Sequence, residues 1–373
     1  MLLSGISPDH LTFSFLLKAC VRLVDLLTGQ GVHGHVLKLG FHNDVYVQNV
    51  VISMYAECKV LDSARRVFDE MIEKDVVSWN TLIIGCLRCG VLDLALALFR
   101  MMNGKNLITW NSIITGFVQG GRPKEALALF QEMQITSGDG VLPDGITLAS
   151  VLSACATLGA LDQGKWVHRY LKRRGLEFDV VIGTALVDMY GKCGCVDQAV
   201  EIFKEMPKKD VLAWTSMIKV LADHGLAREA IELFKEMEGH GTKPNPVTFV
   251  PVLCACAHAG LVQQGWRFFQ LMTNVYSIAP QAEHYACMVD LLSRTGLFSA
   301  AEEVIRGMEV EPDVYVWGAL LGGCRMHGNV ELGEQGSSEV VMSEIESVLV
   351  AVSFELKSLG FLTDSEDKLL EKG

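Results

Sequence analysis

The stretch DVVSWNTLIIG, Asp75 to Gly85, decides how the whole chain is read, because the chain writes it more than once. It returns as NLITWNSIITG from Asn106 and as DVLAWTSMIKV from Asp210. Each copy opens on Asp or Asn, keeps its tryptophan, and lets the next residue change from Asn to Thr. The apolar residues recur at helical spacing and do not alternate as in a strand. Gly90 then stands where a helix end calls for a left-handed residue. A second amphipathic stretch follows, such as DLALALFRMM or KEALALFQEM. Cutting at each terminal polar residue gives units 10–44, 45–75, 76–106, 107–144, 145–179, 180–210, 211–245, 246–281 and 282–313, with a degraded unit from Val314. Two helices per unit, stacked on their neighbours, make an α-solenoid.

Composition agrees with this reading. Half of the 373 residues are apolar, ample for a continuous core. No run of eighteen apolar residues escapes interruption by charge or glycine, so no membrane partner is expected. The first twenty residues read as neither a transit segment nor a signal peptide, so the chain is expected to begin in mid-architecture. The net charge of −12 weighs at first against nucleic acid. Yet ten acidic residues against three lysines crowd into 331–373, which therefore holds more than half of that excess.

Cysteines and aromatics follow the unit phase. Cys20, Cys86, Cys155, Cys256 and Cys324 take the eleventh place, and Cys58, Cys89 and Cys193 the fourteenth. Small apolar side chains recurring in phase fill gaps between helices. Cys86 and Cys89 have half the spacing of a zinc site, but no second pair stands at ligand distance, so no metal or other cofactor is expected. Trp79, Trp110, Trp214 and Trp317, with Phe13, Phe249 and Tyr285, take the fourth place and read as core. The residue after them points about 100° round the helix, towards another surface.

These units resemble pentatricopeptide repeats, of the plant PLS type in which long, short and standard units alternate. The resemblance covers essentially residues 1–330 and rests on VSWNTLIIG, ALALFQEM, DVYVQNVVISMYAECKVLDSARRVFDEM, GTALVDMYGKCG and VYVWGALLGGCRMHGNVELGE, with PD and KPN at unit ends. It implies an all-α, right-handed α-solenoid superhelix of helix-turn-helix repeats, acting as a monomer. Residues 1–9 become the tail of a preceding repeat, and 10–313 nine repeats. Residues 314–373 become a degraded, truncated E-type extension with an acidic tail.

Such repeats bind single-stranded RNA, one base per repeat. The resemblance assigns base choice to the fifth and last residues of each unit. Uracil and guanine offer an imino N–H that suits an Asp carboxylate, whereas adenine and cytosine offer an acceptor beside a donor, which suits an Asn amide. In the family, Asn at the fifth place favours pyrimidines, and Thr or Ser favours purines. Asn49 with Asp75 then favours U, Asn80 with Asn106 favours C, and Asn111 with Asp144 favours U. Thr184 with Asp210 favours G, Thr215 with Asn245 favours A, and Ser14 with Asp44 weakly favours a purine. Ala149, Val250 and Ala286 offer no polar atom. The expected target is 5′-(R)UCU-N-GA-N-N-3′. Apolar second-place residues Tyr46, Val77, Ile108, Val181 and Leu212 would wedge between bases, and Lys172, Arg173, Arg174, Lys208 and Lys209 are candidates for phosphate.

The function so implied is site recognition on organellar transcripts, in mitochondrion or chloroplast, foremost for C-to-U editing. After Val314 there is neither the His-x-Glu and Pro-Cys-x-x-Cys of a zinc deaminase nor a terminal Asp-Tyr-Trp. The chain is therefore read as no enzyme, with a deaminase-bearing partner supplying catalysis in trans. After Gly333 the extension departs from the family, and 343–360 has the pattern of an amphipathic helix closed by Gly360. The alternatives are an RNA processing or stability factor, a protein-interaction scaffold without RNA readout, and a product without function.

Overall fold

The computed structural model describes residues 8–136, 140–175 and 179–334; the helix expected at 343–360 and most of the acidic tail lie outside them. The described residues are helical, with no strand among them, in keeping with the all-α expectation. The chain divides into two compact bodies, Met1–Cys195 and Val196–Gly373.

In the first body, α1 (His10–Leu23), α3 (Val45–Glu57), α5 (Val76–Arg88), α7 (Leu107–Gln119), α9 (Gly145–Leu158) and α11 (Val180–Lys192) lie in a row, each against the next. Between them pack α2 (Leu26–Lys38), α4 (Leu61–Glu70), α6 (Leu92–Met101), α8 (Pro123–Thr136) and α10 (Leu161–Arg174), each touching the first helix of its own unit and of the next. The second body holds a row of the same kind. There α13 (Val211–Asp223), α15 (Pro246–His258), α17 (Ala282–Arg294) and α19 (Val314–His327) form the row, with α12 (Val196–Glu205), α14 (Ala227–Gly239), α16 (Val262–Gln270) and α18 (Phe298–Arg306) as second helices.

The starts of these helices are written in single residues. Asp9, Asp44, Asp75, Asn106, Asp144, Asp179, Asp210, Asn245 and Asp313 each accept the backbone N–H three residues on, as Asp75 does from Ser78 at 2.7 Å. Each such cap stabilises its helix by about 1 kcal/mol. At the other end, Gly90 takes φ +76, a conformation that costs a residue with a Cβ far more.

The repeated tryptophan is the joint between successive units. Trp79 meets Phe68 of the preceding second helix edge-on, with centroids 4.9 Å apart; Trp110 meets Phe99 at 4.9 Å and Trp214 meets Phe203 at 5.0 Å. Trp110, Trp214, Phe13, Phe249 and Tyr285 are buried, while Trp79 and Trp317 are half-buried. The five eleventh-place cysteines are buried, and all eleven cysteines are free thiols.

A second joint distinguishes the units 10–44, 145–179 and 246–281. Gly29, Gly164 and Gly265 stand at their twentieth places, where a methyl group would come 2.5 Å from Met54 Sδ, 2.4 Å from Met189 Sδ and 2.3 Å from Leu291 Cδ2. Those three side chains are the tenth residues of the units that follow. The remaining units carry a fully buried alanine at the twentieth place, namely Ala64, Ala95, Ala126, Ala199, Ala230 and Ala301. In two of the glycine joints a histidine hydrogen-bonds a tyrosine of the next unit, His33 to Tyr55 and His168 to Tyr190.

Candidate nucleic-acid interface

Because the last residue of one unit caps the first helix of the next, it stands beside the fifth residue of its own unit. Asn111 Nδ2 donates to both carboxylate oxygens of Asp144 at 3.1 Å. Asn80 Nδ2 donates to Asn106 Oδ1, and Asn49 Nδ2 to Asp75 Oδ1, both at 3.4 Å. Burial raises the Asp75 carboxyl, but donors from Ser78 and Asn49 outweigh it and hold the group below the usual aspartate range. Thr215 and Asn245 converge on one hydroxyl, that of Thr248, each at 2.9 Å. The structure thus brings four of the six expected pairs together. Ser14 instead donates back to His10 O at 2.8 Å, and Asp44 caps α3 through Val47. Thr184 lies in the first body and Asp210 in the second.

The fifth-place side chains are less open than the sequence suggests. Asn49, Asn80, Thr184 and Thr215 are only 6–8% exposed, and Asn111 is half-buried. The reason is the residue three places after each cap. Thr109 Oγ1 donates to Asn80 Oδ1 at 2.8 Å, and Thr147 Oγ1 donates to Asn111 Oδ1. The same hydroxyls accept the backbone N–H of Asn106 and Asp144 at 3.3 Å, closing a reciprocal cap. The third residue of the following unit therefore covers the fifth residue of the preceding one and fixes its amide. Ser78 bonds only to Asp75, and Asn49 Oδ1 is left buried without a partner; Thr184 Oγ1 likewise has none. Sequence reasoning passed over Thr109, Thr147 and Thr248, although a Thr three residues after an Asn or Asp is a visible capping signal.

The open groups are the caps and the second-place residues. Asp75 and Asp210 are exposed, while Asn106, Asp144 and Asn245 are half-buried. Tyr46, Val77, Ile108 and Val181 are 47–62% exposed, joined in the first body by Leu11 and Ile146. In the second body Leu212 and Val247 stand equally open, and Tyr315 more so. Since consecutive first helices lie side by side in register, these side chains form an apolar stripe along each row, immediately next to the caps.

The basic residues divide. Lys209 is not free for phosphate: its ammonium donates to Met206 O at 2.8 Å and lies over the Phe203 ring. Lys74 and Lys105 do the same on Met71 and Met102, a repeated closure of the second helix. Arg174 lies over the Tyr170 ring, whereas Lys172, Arg173 and Lys208 are exposed.

With this geometry in view, the comparisons with known proteins are specific. Two family models match, one described as the PPR repeat family at 105–157 and 209–258, the other as the PPR repeat at 49–76, 77–107, 184–211 and 283–311, together more than half of the chain. Among curated relatives from Arabidopsis thaliana, the pentatricopeptide repeat-containing protein CRR2, chloroplastic, is 38% identical over 91% of this chain and 48% of its own length. The pentatricopeptide repeat-containing protein At2g22410, mitochondrial, is 42% identical over 90% of this chain and 49% of its own. The crystal structure of the maize pentatricopeptide repeat protein PPR10 in complex with an 18-nt psaJ RNA element superposes with a TM-score of 0.76 over 100% of this chain and 57% of that one, at 18% identity. The chain spans between 40% and 64% of the length of the curated relatives it matches.

Proposed function

The chain belongs to the pentatricopeptide repeat family, and from that premise we propose that it binds single-stranded RNA, one base per unit, in a plant organelle. One observation carries the reading. In successive units an exposed apolar second-place side chain stands beside a polar pair made of the fifth residue and the next cap. Capping alone accounts for Asp or Asn at the unit end. It does not account for an Asn aimed at that cap from the fifth place of the same unit, nor for leaving an apolar side chain open beside it. A nucleobase offers what this arrangement lacks: a flat apolar face to cover the stripe and a polar edge for the cap. An RNA-bound structure of the same fold, and relatives whose names place them in chloroplast and mitochondrion, support it.

We assign the residues as follows. Asn49 with Asp75, Asn80 with Asn106, and Asn111 with Asp144 read U, C and U. Thr184 with Asp210 reads G, and Thr215 with Asn245 reads A. Ser14 with Asp44 contributes least, because its hydroxyl is turned inward. The recognised transcript is a substrate for C-to-U editing, with the deaminase on a separate protein. Fluorescence anisotropy at 150 mM salt, with 5′-(R)UCU-N-GA-N-N-3′ against a shuffled RNA of equal composition, tests the reading. The expected result is at least tenfold tighter binding of the ordered sequence, lost in Ile108→Asp, whose 60% exposure lets the fold tolerate the change. Equal affinity for both RNAs sinks it.

A further inference from the structure

Three cysteines, Cys195, Cys254 and Cys287, fall outside the recurring places, and the last two face each other. Cys254 on α15 and Cys287 on α17 hold their sulfurs 3.2 Å apart, closer than two unbonded sulfur atoms rest. The helices are neighbours in the row of the second body. A disulfide needs about 2.05 Å, so closure asks each side chain to shift by well under an ångström. The two thiols differ in access. Cys254 is half-buried, whereas Cys287 is 8% exposed and also approaches Val250 O at 3.8 Å.

We propose that Cys254 and Cys287 are an oxidation site, closed to a disulfide by a peroxide. Cys254 is the attacking sulfur. Its thiol is held below the usual range because Cys287 donates to it, with Lys219 helping, against burial and the carboxylates of Asp290 and Asp223. The same bond and deeper burial push Cys287 up. Cys254 thiolate attacks one peroxide oxygen; the O–O bond breaks, and the departing hydroxide takes a proton and leaves as water. The resulting Cys254 sulfenic acid is then attacked by the Cys287 sulfur. The S–O bond breaks, the S–S bond forms, and the hydroxyl leaves as a second water with the proton from Cys287. Two thiols are oxidised and one peroxide is reduced to two waters. Cys256, two residues along α15, is no competitor: it is fully buried, and burial pushes its thiol up to about 12. The new bond would clamp two units whose fifth residues, Val250 and Ala286, carry no polar atom for a base. It fixes the spacing of the row without touching a reading pair.

The test treats the full chain with limiting hydrogen peroxide, alkylates the remaining thiols, and maps disulfide-linked tryptic peptides by mass spectrometry. The expected product is one Cys254–Cys287 link, with alkylatable thiols falling from eleven to nine and returning on reduction. Cys254 and Cys256 share a tryptic peptide, so Cys256→Ser must keep the link while Cys254→Ser and Cys287→Ser abolish it. A link surviving in Cys254→Ser, a first link between other cysteines, or Cys254 passing to sulfinic acid unlinked overturns the proposal. The readout is made on RNA-free protein, so its failure leaves the RNA reading standing, and the reverse holds too.

Discussion

Thr109→Val is the most informative single change, because it removes a hydroxyl without removing volume. Thr109 is fully buried, donates to Asn80 Oδ1 at 2.8 Å and accepts the Asn106 N–H at 3.3 Å. Valine keeps the branched shape, so no cavity opens. What is lost is one good hydrogen bond, worth about 1 kcal/mol, and a buried amide oxygen is then left without a donor, adding about 1 kcal/mol or more. The expected loss is about 2 kcal/mol in urea unfolding. Ser78→Ala is the matched control. Its hydroxyl bonds only to Asp75, and the Asn49 oxygen beside it already lacks a donor, so about 1 kcal/mol is expected there. The RNA readout follows from the same bond. An Asn80 amide no longer fixed by Thr109 loses its orientation, and preference for C over the purines at that nucleotide should fall about fivefold, the equivalent of about 1 kcal/mol, with the other nucleotides unaffected. If Thr109→Val costs no more than Ser78→Ala and leaves base preference intact, the third-place hydroxyl does not hold the reader, and the account of the interface fails.

Three further outcomes are expected. Asn245→Asp should leave unfolding nearly unchanged, since either residue caps α15 equally well, yet move preference at that unit from A towards G by about 1–3 kcal/mol in competitive RNA binding. Gly323→Ala should destabilise α19 by about 1–3 kcal/mol, because its methyl would fall 2.3 Å from Ser293 Cβ and 2.7 Å from the Ser293 carbonyl carbon. Gly322→Ala next to it meets no atom within 4 Å and should stabilise by about 0.5–1 kcal/mol; limited proteolysis of the helix ranks the two. Asp75, held below its unfolded range, contributes stability that is present above that range and fades as pH falls through the lowered value. Asp75→Asn keeps the cap and should flatten the acid limb of a stability–pH curve; an unaltered limb would assign the acid loss elsewhere.

Much of the fold is visible in the residues themselves, because its decisive signals are local. An Asp or Asn starts every first helix but α17 by satisfying one N–H three residues away, and a glycine closes most of them by taking a left-handed φ; neither needs a distant partner. The tryptophan phase is equally plain, since an aromatic repeating in register has one buried environment to repeat in. The interface is less legible. That Asn80 would be covered by Thr109 depends on how closely two units approach, which no single window of sequence contains. Lys209 reads as a phosphate ligand until the carbonyl of Met206 is seen to lie within its reach. The Cys254 and Cys287 pair obeys no period, so a search by phase passes over it.

The glycines at the twentieth place have a consequence for anyone who would shuffle such modules. Where the leading module offers glycine, its successor brings Met54, Met189 or Leu291; where it offers alanine, the successor's tenth residue is never larger than valine. One methyl group therefore works as a bump-and-hole key that dictates syntax, permitting some successions and forbidding others. A chimaera that seats a methionine-bearing successor on an alanine-bearing leader would jam at that seam however well each piece folds alone. Exchanging the alanine for glycine at the same time should free it.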